Sequence, residues 1–539
     1  MSGPRPTLDV RAFPSDPSLL LILLAAGVLL SDLFFALWLA ELNAPLDCSS
    51  ATYPACPKDA GAMFSGTVTH LLQVLTPGMG MYALSAWLRR RRAVPLRDTA
   101  FQGAAETVER LVGQAGLGRR PTVLVGRRLR SGACVTGPLG GPHLLLGPEL
   151  LALHDKGGQQ RRVFETVVRH ELAHLQSGDL RPQLLTTLLR WSNLYAGAFA
   201  VFALTLTLSG DDIPAGDYLF SVVRVVLLAL LGELIARAYL RVREHHADLR
   251  AGTADPEGLL ATMRAGAAGA AGPGLRVWLR HHPLGSDRLA VALAPSRLLA
   301  SSPGRLLLGA TVAGVLLATL QDLLLRIAAP GSGVSTAILC GAVIGTALTL
   351  FFAFSLWGHA WHADAPGRAW PAAAAALTVG LPVGSHLAVF TRVSGRGLTG
   401  IPPNPLLLAV LAGGALLLCG WLAALGAAWR RGDPQARRVP RFLALAVPAA
   451  CAVGGWLFAM FWTWAASLLG LSFCPDFPDA PLCRLADPER RIAVSMLATF
   501  GSGPVLPAVV LVASAAIPLA LFLARRPERG GWEDQTGSG

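Results

Sequence analysis

About ten apolar stretches, each long enough to cross roughly 30 Å of hydrocarbon as a helix, dominate this 539-residue chain. They begin near Ser18, Ala60, Leu184, Tyr218, Leu306, Ser335, Trp370, Pro405, Phe442 and Gly503. Only 15% of the residues are charged and 53% are hydrophobic, whereas a soluble domain carries about 25% charged residues. An ordinary cytosolic enzyme is excluded. The expected fold is mainly α, a polytopic membrane protein with about ten transmembrane helices.

The first stretch is followed by Glu41 and Asn43 rather than a small-residue cleavage site, so it reads as a retained anchor. The formal net charge of +13 rests almost wholly on arginine, since lysine occurs only at Lys58 and Lys156. The arginines cluster at the ends of apolar stretches, at 89–92, at 430–441 and at Arg525, Arg526 and Arg529. That asymmetry marks a cytoplasmic side and places both termini there, in a multi-pass protein of the cell membrane. No basic face interleaved with aromatics is present, so no nucleic-acid partner is expected. The loops 42–59, 209–217, 329–334, 392–404 and 470–495 should then lie outside. Cys48 with Cys56, and Cys474 with Cys483, fall in the first and last of these loops, where two local disulfides are expected. Cys340, Cys419 and Cys451 fall within spans and read as small apolar fillers.

These assignments divide the chain into an N-terminal span pair (1–92), a cytoplasmic segment (93–183) and a membrane hairpin (184–238). A second cytoplasmic segment (239–304), a six-span region (305–525) and a disordered tail (526–539) follow. The two cytoplasmic segments should form one small α+β domain split by the hairpin. In the first, Phe101, Ala104, Val108, Leu111, Val112 and Ala115 recur at helical spacing. Strand-like runs follow at residues 121–126, 133–137 and 143–147, then a helix opened by Pro148 and Glu149, and then a helix over about 159–177 stopped by Gly178.

That last helix reads Arg-His-Glu-Leu-Ala-His. His170 and His174 are four residues apart, on one face, where two imidazoles can hold one zinc ion, Zn(2+). Glu171 stands beside the first of them, placed to act as general base on a zinc-activated water. A catalytic zinc needs a third protein ligand. Residues 241–248, Arg-Val-Arg-Glu-His-His-Ala-Asp, offer Glu244, with His245 or His246 as rivals. Asp248, four residues after Glu244, and Asp179, just past the first helix, can each hold a ligand imidazole through its ring N–H.

The segments His170-Glu-Leu-Ala-His-Leu-Gln-Ser-Gly-Asp179, Arg243-Glu-His-His-Ala-Asp248, Asp255-Pro-Glu-Gly-Leu-Leu and His282-Pro-Leu-Gly-Ser-Asp-Arg288 resemble, in order, the signatures of HtpX-like zinc metallopeptidases, relatives of the CaaX prenyl proteases. The resemblance implies a zincin-like, membrane-embedded gluzincin whose ligands are His170, His174 and Glu244, with Glu171 as base, and thus favours Glu244 over its histidine neighbours. It implies that Ala133, Cys134, Val135, Thr136 and Gly137 form the edge strand that receives a substrate backbone. It leaves His282 and Arg288 two roles, stabilising an oxyanion or bracing the site. Quality control or processing of membrane proteins would be the task, with protein or peptide substrates. The six-span addition departs from the family pattern. Two other readings use the same residues: a sensor peptidase that cuts one regulator on an extracellular signal, and a non-catalytic scaffold with a structural zinc.

The helix bearing His170 also carries Arg161, Arg162 and Arg169, too polar for hydrocarbon, so the site is expected at the cytoplasmic face. Glu233 with Arg237, and Asp322 with Arg326, are spaced to neutralise each other within apolar segments. Trp357, Trp361 and Trp370 fit an interfacial aromatic belt.

Overall fold

A computed structural model of the chain describes residues 76–88, 90–126, 129, 132–137, 141–208, 215–267, 282–300, 302–327, 333–362, 369–388, 405–432 and 439–471. The expected disulfide cysteines Cys48, Cys56, Cys474 and Cys483 lie outside the described residues. So do the stretches beginning near Ser18 and Gly503 and the tail. The described residues form two compact units, one ending at Leu298 and the other beginning at Leu299.

The first unit contains a four-stranded sheet: β1 (Val94–Pro95), β2 (Thr122–Val125), β3 (Ala133–Thr136) and β4 (His143–Leu146), in the spatial order β1-β2-β4-β3. β2 and β4 run parallel, while β1 and β3 pair antiparallel with their neighbours. β4 is interior because Leu144, Leu145 and Leu146 are all fully buried, the continuous apolar run of a strand covered on both faces. β3 is left at the edge. Gly137 ends it at φ +103, and an added Cβ would strike the Gly141 carbonyl oxygen, so only glycine fits this turn.

Helix α1 (Gln102–Gln114) follows the expected periodicity, burying Ala104, Val108, Leu111 and Val112. α2 (Pro148–Asp155) starts at a proline, whose missing N–H costs nothing in a first turn. α3 (Gly158–Gln176) carries the His-Glu motif. Phe164, Val168 and Leu172 join Val108, Leu111, Leu144, Leu146, Leu150 and Leu151 in the core. The 100° step of the helix turns His170 and His174 away from that core, so α3 has one apolar and one chemical face.

α4 (Leu180–Leu208) and α5 (Ala215–Gly252) pack together as a long hairpin, and α6 (Pro256–Ala267) and α7 (Gly285–Leu293) follow. The hairpin register is set by polar contacts among apolar surroundings. Asn193 Nδ2 donates to the Ala229 carbonyl at 3.2 Å. Arg190 grips Glu233 with two hydrogen bonds of 2.6 and 2.7 Å. Glu233 pairs with Arg237, as their spacing suggests, and Arg190 from the other helix makes the pair a triad.

The second unit is a helical bundle of α8 (Pro303–Ile327), α9 (Gly333–His362), α10 (Ala369–Leu387), α11 (Pro405–Gly432) and α12 (Val439–Leu471). Small residues four apart let backbones approach closely: Gly341 and Gly345 seat Phe458 and Ala459 of α12, while Gly380 and Gly384 of α10 lie against Ala310 and Thr311 of α8. Trp357 corrects the aromatic-belt expectation. It is fully buried, its indole N–H donating to the Leu422 carbonyl at 3.1 Å and its ring 4.9 Å from that of Phe442. A hydrogen bond within the bundle satisfies the polar edge that otherwise draws tryptophan to an interface. Cys340 and Cys419 are buried, and neither they nor Cys451 form disulfides.

Among the described residues, four helical segments are long and apolar enough to cross a membrane: Arg297–Gln321, Ala337–Ala360, Pro405–Arg430 and Arg441–Trp462. The protein is thus mostly helical, with apolar helices of membrane-spanning length and a small sheet.

Candidate metal centre

His170 and His174 are both buried, with ring centroids 4.8 Å apart and nearly perpendicular planes. Their Nε2 atoms stand 3.2 Å apart. From α5, the Glu244 carboxylate reaches both: Oε2 lies 3.5 Å from Nε2 of His170 and Oε1 3.6 Å from Nε2 of His174. His170, His174 and Glu244 form the cluster of potential metal ligands found among the described residues. Neither His245 nor His246 belongs to it; His245 is buried one position along the helix, and burial lowers its pKa.

The donor set fits a tetrahedral cation. Two ligand atoms at 2.0–2.2 Å from one ion, at the tetrahedral angle, are about 3.4 Å apart, close to the three spacings above. The ring nitrogens facing outward are already engaged. His170 Nδ1 lies 2.8 Å from Asp248 Oδ1, and His174 Nδ1 lies 2.8 Å from Asp179 Oδ2. With protons on Nδ1, both Nε2 atoms present lone pairs toward the same point, an arrangement that calls for a cation between them.

Local sequence explains how Asp179 arrives there. Gly178, at φ +68, ends α3 in a Schellman turn: its N–H donates to the Leu175 carbonyl at 3.1 Å, and the Asp179 N–H to the His174 carbonyl at 3.0 Å. The left-handed residue folds the chain back and delivers the carboxylate to the ring one turn earlier. Asp248 arrives by helical spacing, one turn after Glu244 on α5.

Each aspartate is held in turn by an arginine. Arg288 of α7 grips Asp248 with both Nε, at 2.8 Å, and Nη2. Arg243 of α5 meets Asp179 through Nη2, which also lies 3.5 Å from the Ser177 carbonyl oxygen. Sequence reasoning gave Arg243 no role of its own, although it opens the Arg243–Asp248 motif directly before Glu244. Arg288 thus pairs with Asp248 in this structure. His282 Nδ1 lies 3.1 Å from Glu244 Oε2, although the imidazole is largely exposed.

Glu171 is buried on α3, and its negative charge acts on both imidazoles and on Arg288. Burial works against charge on His170, but its contacts with Asp248 and Glu244 prevail, and its pKa is pushed up to about 10. Burial and the charge of His170 hold His174 below its ordinary value. Burial also opposes ionisation of Glu244, yet hydrogen bonds to His170 and His282 and the imidazole charges hold its carboxyl well below the usual range. The site is therefore an anionic pocket that seeks positive charge.

β3, the other sequence-predicted element, lies at the sheet edge and packs against α3. Val135 and Thr136 are buried, while Ala133 and Cys134 are partly exposed.

Comparison with known proteins places this geometry. Residues 100–296 match the family described as Peptidase family M48. The chain is 27% identical over 176 residues to a protein described as "Protease HtpX homolog" from Bacillus pumilus, covering 31% of this chain and 58% of that protein. It is 29% identical over 149 residues to the homolog from Bacillus subtilis, covering 27% and 48%. For the homolog from Bacillus velezensis the values are 28% over 191 residues, covering 34% and 63%. The chain thus spans between about half and under two thirds of the length of these relatives. No solved structure matches. Two buried imidazoles and a carboxylate converge within residues 100–296, and this segment is similar to peptidase family M48 and to HtpX homologs, with further helices following it in the chain.

Proposed function

We propose that this protein is a zinc metalloendopeptidase at the cytoplasmic face of the cell membrane, hydrolysing peptide bonds in membrane or membrane-associated proteins. The observation that carries the reading is the convergence of His170 Nε2, His174 Nε2 and the Glu244 carboxylate at spacings suited to one tetrahedral ion. In this reading residues 93–183 and 239–304 make up the peptidase domain, and the hairpin 184–238 is one of about five span pairs. α5 runs unbroken from that hairpin into the site. At 1.5 Å per residue Glu244 lies about 9 Å past residue 238, beyond the hydrocarbon but still beside the membrane. Membrane proteins and their cytosolic loops are then the natural substrates.

His170, His174 and Glu244 would hold the zinc, which when bound supplies a Lewis acid that activates water and polarises the scissile carbonyl. Glu171 accepts the proton of the attacking water and delivers it to the leaving amine. Asp248 and Asp179 keep both rings oriented with Nε2 toward the cation. The edge of β3 takes an extended substrate backbone as an added strand, with Gly137 keeping the end of that strand open. His282, beside Glu244, serves the developing oxyanion, while Arg288 braces Asp248.

The test is Glu171→Gln in the detergent-solubilised full chain, followed by zinc content and cleavage of an unfolded protein substrate. The variant is expected to keep zinc and lose activity by about 10²- to 10⁴-fold. Cleavage at the wild-type rate would overturn the assignment. Recovery of uncut proteins bound to the inactive variant in cells identifies the substrates.

A further inference from the structure

The two imidazoles are supported by chains of the same kind that are built from different parts of the fold. His170 leans on Asp248 of α5, which is held by Arg288 of α7. His174 leans on Asp179, at the end of the α3 turn, and Asp179 is met by Arg243 of α5. Both chains tie α5 to α3, the first through Asp248 against His170 and the second at the C-terminal end of α3. Arg243 directly precedes Glu244, so the helix that delivers the third candidate ligand also grips the C-terminal end of the helix that delivers the first two. Its Nη2 also lies near the Ser177 carbonyl, where a cation complements the unpaired carbonyls of a helix C-terminus. Asp179 is buried, and a buried carboxylate with an imidazole as its sole partner is costly unless a further charge compensates it.

We propose that Arg243 is a positioning residue for the metal centre: by clamping Asp179 and the end of α3, it fixes both the His174 ring and the register of Glu244 against it. This rests on the zinc reading above. Loss of the guanidinium frees the Asp179 carboxylate to reorient and loosens α5 against α3, so two of the three ligands lose their mutual alignment. An arginine is suited to this because its fork spans a carboxylate and a carbonyl together, which a lysine ammonium does less well.

The experiment measures zinc affinity of the detergent-solubilised full chain by competition with a chromogenic chelator, for the wild type and for His174→Ala, Arg243→Gln, Arg243→Lys, Asp179→Asn and the Arg243→Gln/Asp179→Asn double variant. Arg243→Gln is expected to weaken zinc binding about 10- to 100-fold, the range for residues that orient metal ligands. Arg243→Lys should recover part of the loss, and the double variant should be no weaker than the worse single one, because both substitutions break one chain. If wild type binds no zinc, or His174→Ala binds it undiminished, the zinc reading itself fails. If those two behave as expected but Arg243→Gln retains wild-type affinity, or the two single losses add in the double variant, the role of Arg243 is refuted. Should Arg243→Gln not fold, wild-type zinc affinity in both Arg243→Lys and Asp179→Asn refutes it equally.

Discussion

Raising the pH from 7.5 to 9.0 should tighten zinc binding by the full chain about 30-fold, because loading the site must expel a proton. Glu171, Glu244, Asp248 and Asp179 surround the two imidazoles, and Arg243 and Arg288 offset part of that charge. The remaining negative potential outweighs burial at His170, whose pKa is pushed up to about 10, while His174 stays below its ordinary value. At pH 7.5 the metal-free site therefore carries a proton on His170 and none on His174. Zinc needs the His170 lone pair, so each ion bound displaces one proton. The apparent association constant then rises about tenfold per pH unit up to about pH 10. Two imidazoles at the unperturbed value near 6.5 would give a nearly flat profile above about pH 7.5. Competition against a chelator of known pH dependence reads the slope, and calorimetry in two buffers of different ionisation enthalpy counts the proton directly. A change of less than about threefold between pH 7.5 and 9.0 would refute the reasoning. The same shift has a sign in the metal-free protein. A raised His170 pKa contributes stability that is fully present below about 6.5 and is lost as pH rises through about 10. Metal-free chain should therefore lose stability over pH 7 to 10, and zinc-loaded chain should lose less.

Gly137→Val forces a β-branched residue to a positive φ and against the Gly141 carbonyl; it should destabilise the β3 turn by about 1–3 kcal/mol and raise KM for extended peptides while leaving zinc content at the wild-type level, both read in the same preparation. Trp357→Ala empties a fully buried site and removes the bond to Leu422, and a loss of about 3–5 kcal/mol is expected in denaturant unfolding in detergent; a loss under 1 kcal/mol would place the ring at a lipid surface instead. Glu233→Gln leaves Arg190 and Arg237 facing each other without their carboxylate, which should cost about 3–5 kcal/mol, whereas Glu233→Gln with Arg190→Met should recover much of it; thermal unfolding of the two variants distinguishes these outcomes.

Several elements were legible in the chain because their causes are local. The 3.6-residue period places His170 and His174 on one face of α3 and Glu244 and Asp248 on one face of α5. Gly178 stops α3, and the same left-handed turn brings Asp179 back to His174. The run 143–147 reads as a strand, which the fold places inside the sheet, and Pro148 opens a helix. The resemblance to HtpX-like peptidases came from four short motifs in order, and comparison by family supports it over residues 100–296. Trp357 shows the limit of such reasoning: its place near the end of an apolar stretch suggested an interface, and only the packing of α9 against α11 and α12 reveals a buried indole with a partner.

The arrangement of the candidate site itself belongs to tertiary structure. Glu244, the leading third ligand in the sequence, and its rivals His245 and His246 are separated by 100° steps on one helix, and which of them faces His170 depends on how α5 is rotated and shifted against α3. Arg190 on Glu233 and Asn193 on the Ala229 carbonyl align α5 with α4, while Asp248 against His170 and Arg243 against Asp179 join α5 to α3 at the site. The pairing of Arg243 with Asp179 and of Arg288 with Asp248 joins residues on elements 40 or more positions apart. The sequence alone determined which side chains lie one turn apart along each helix, since helical period is a property of the backbone. Which helices meet, and with which faces, was decided only when apolar surfaces and buried charges had to be satisfied together across the whole fold.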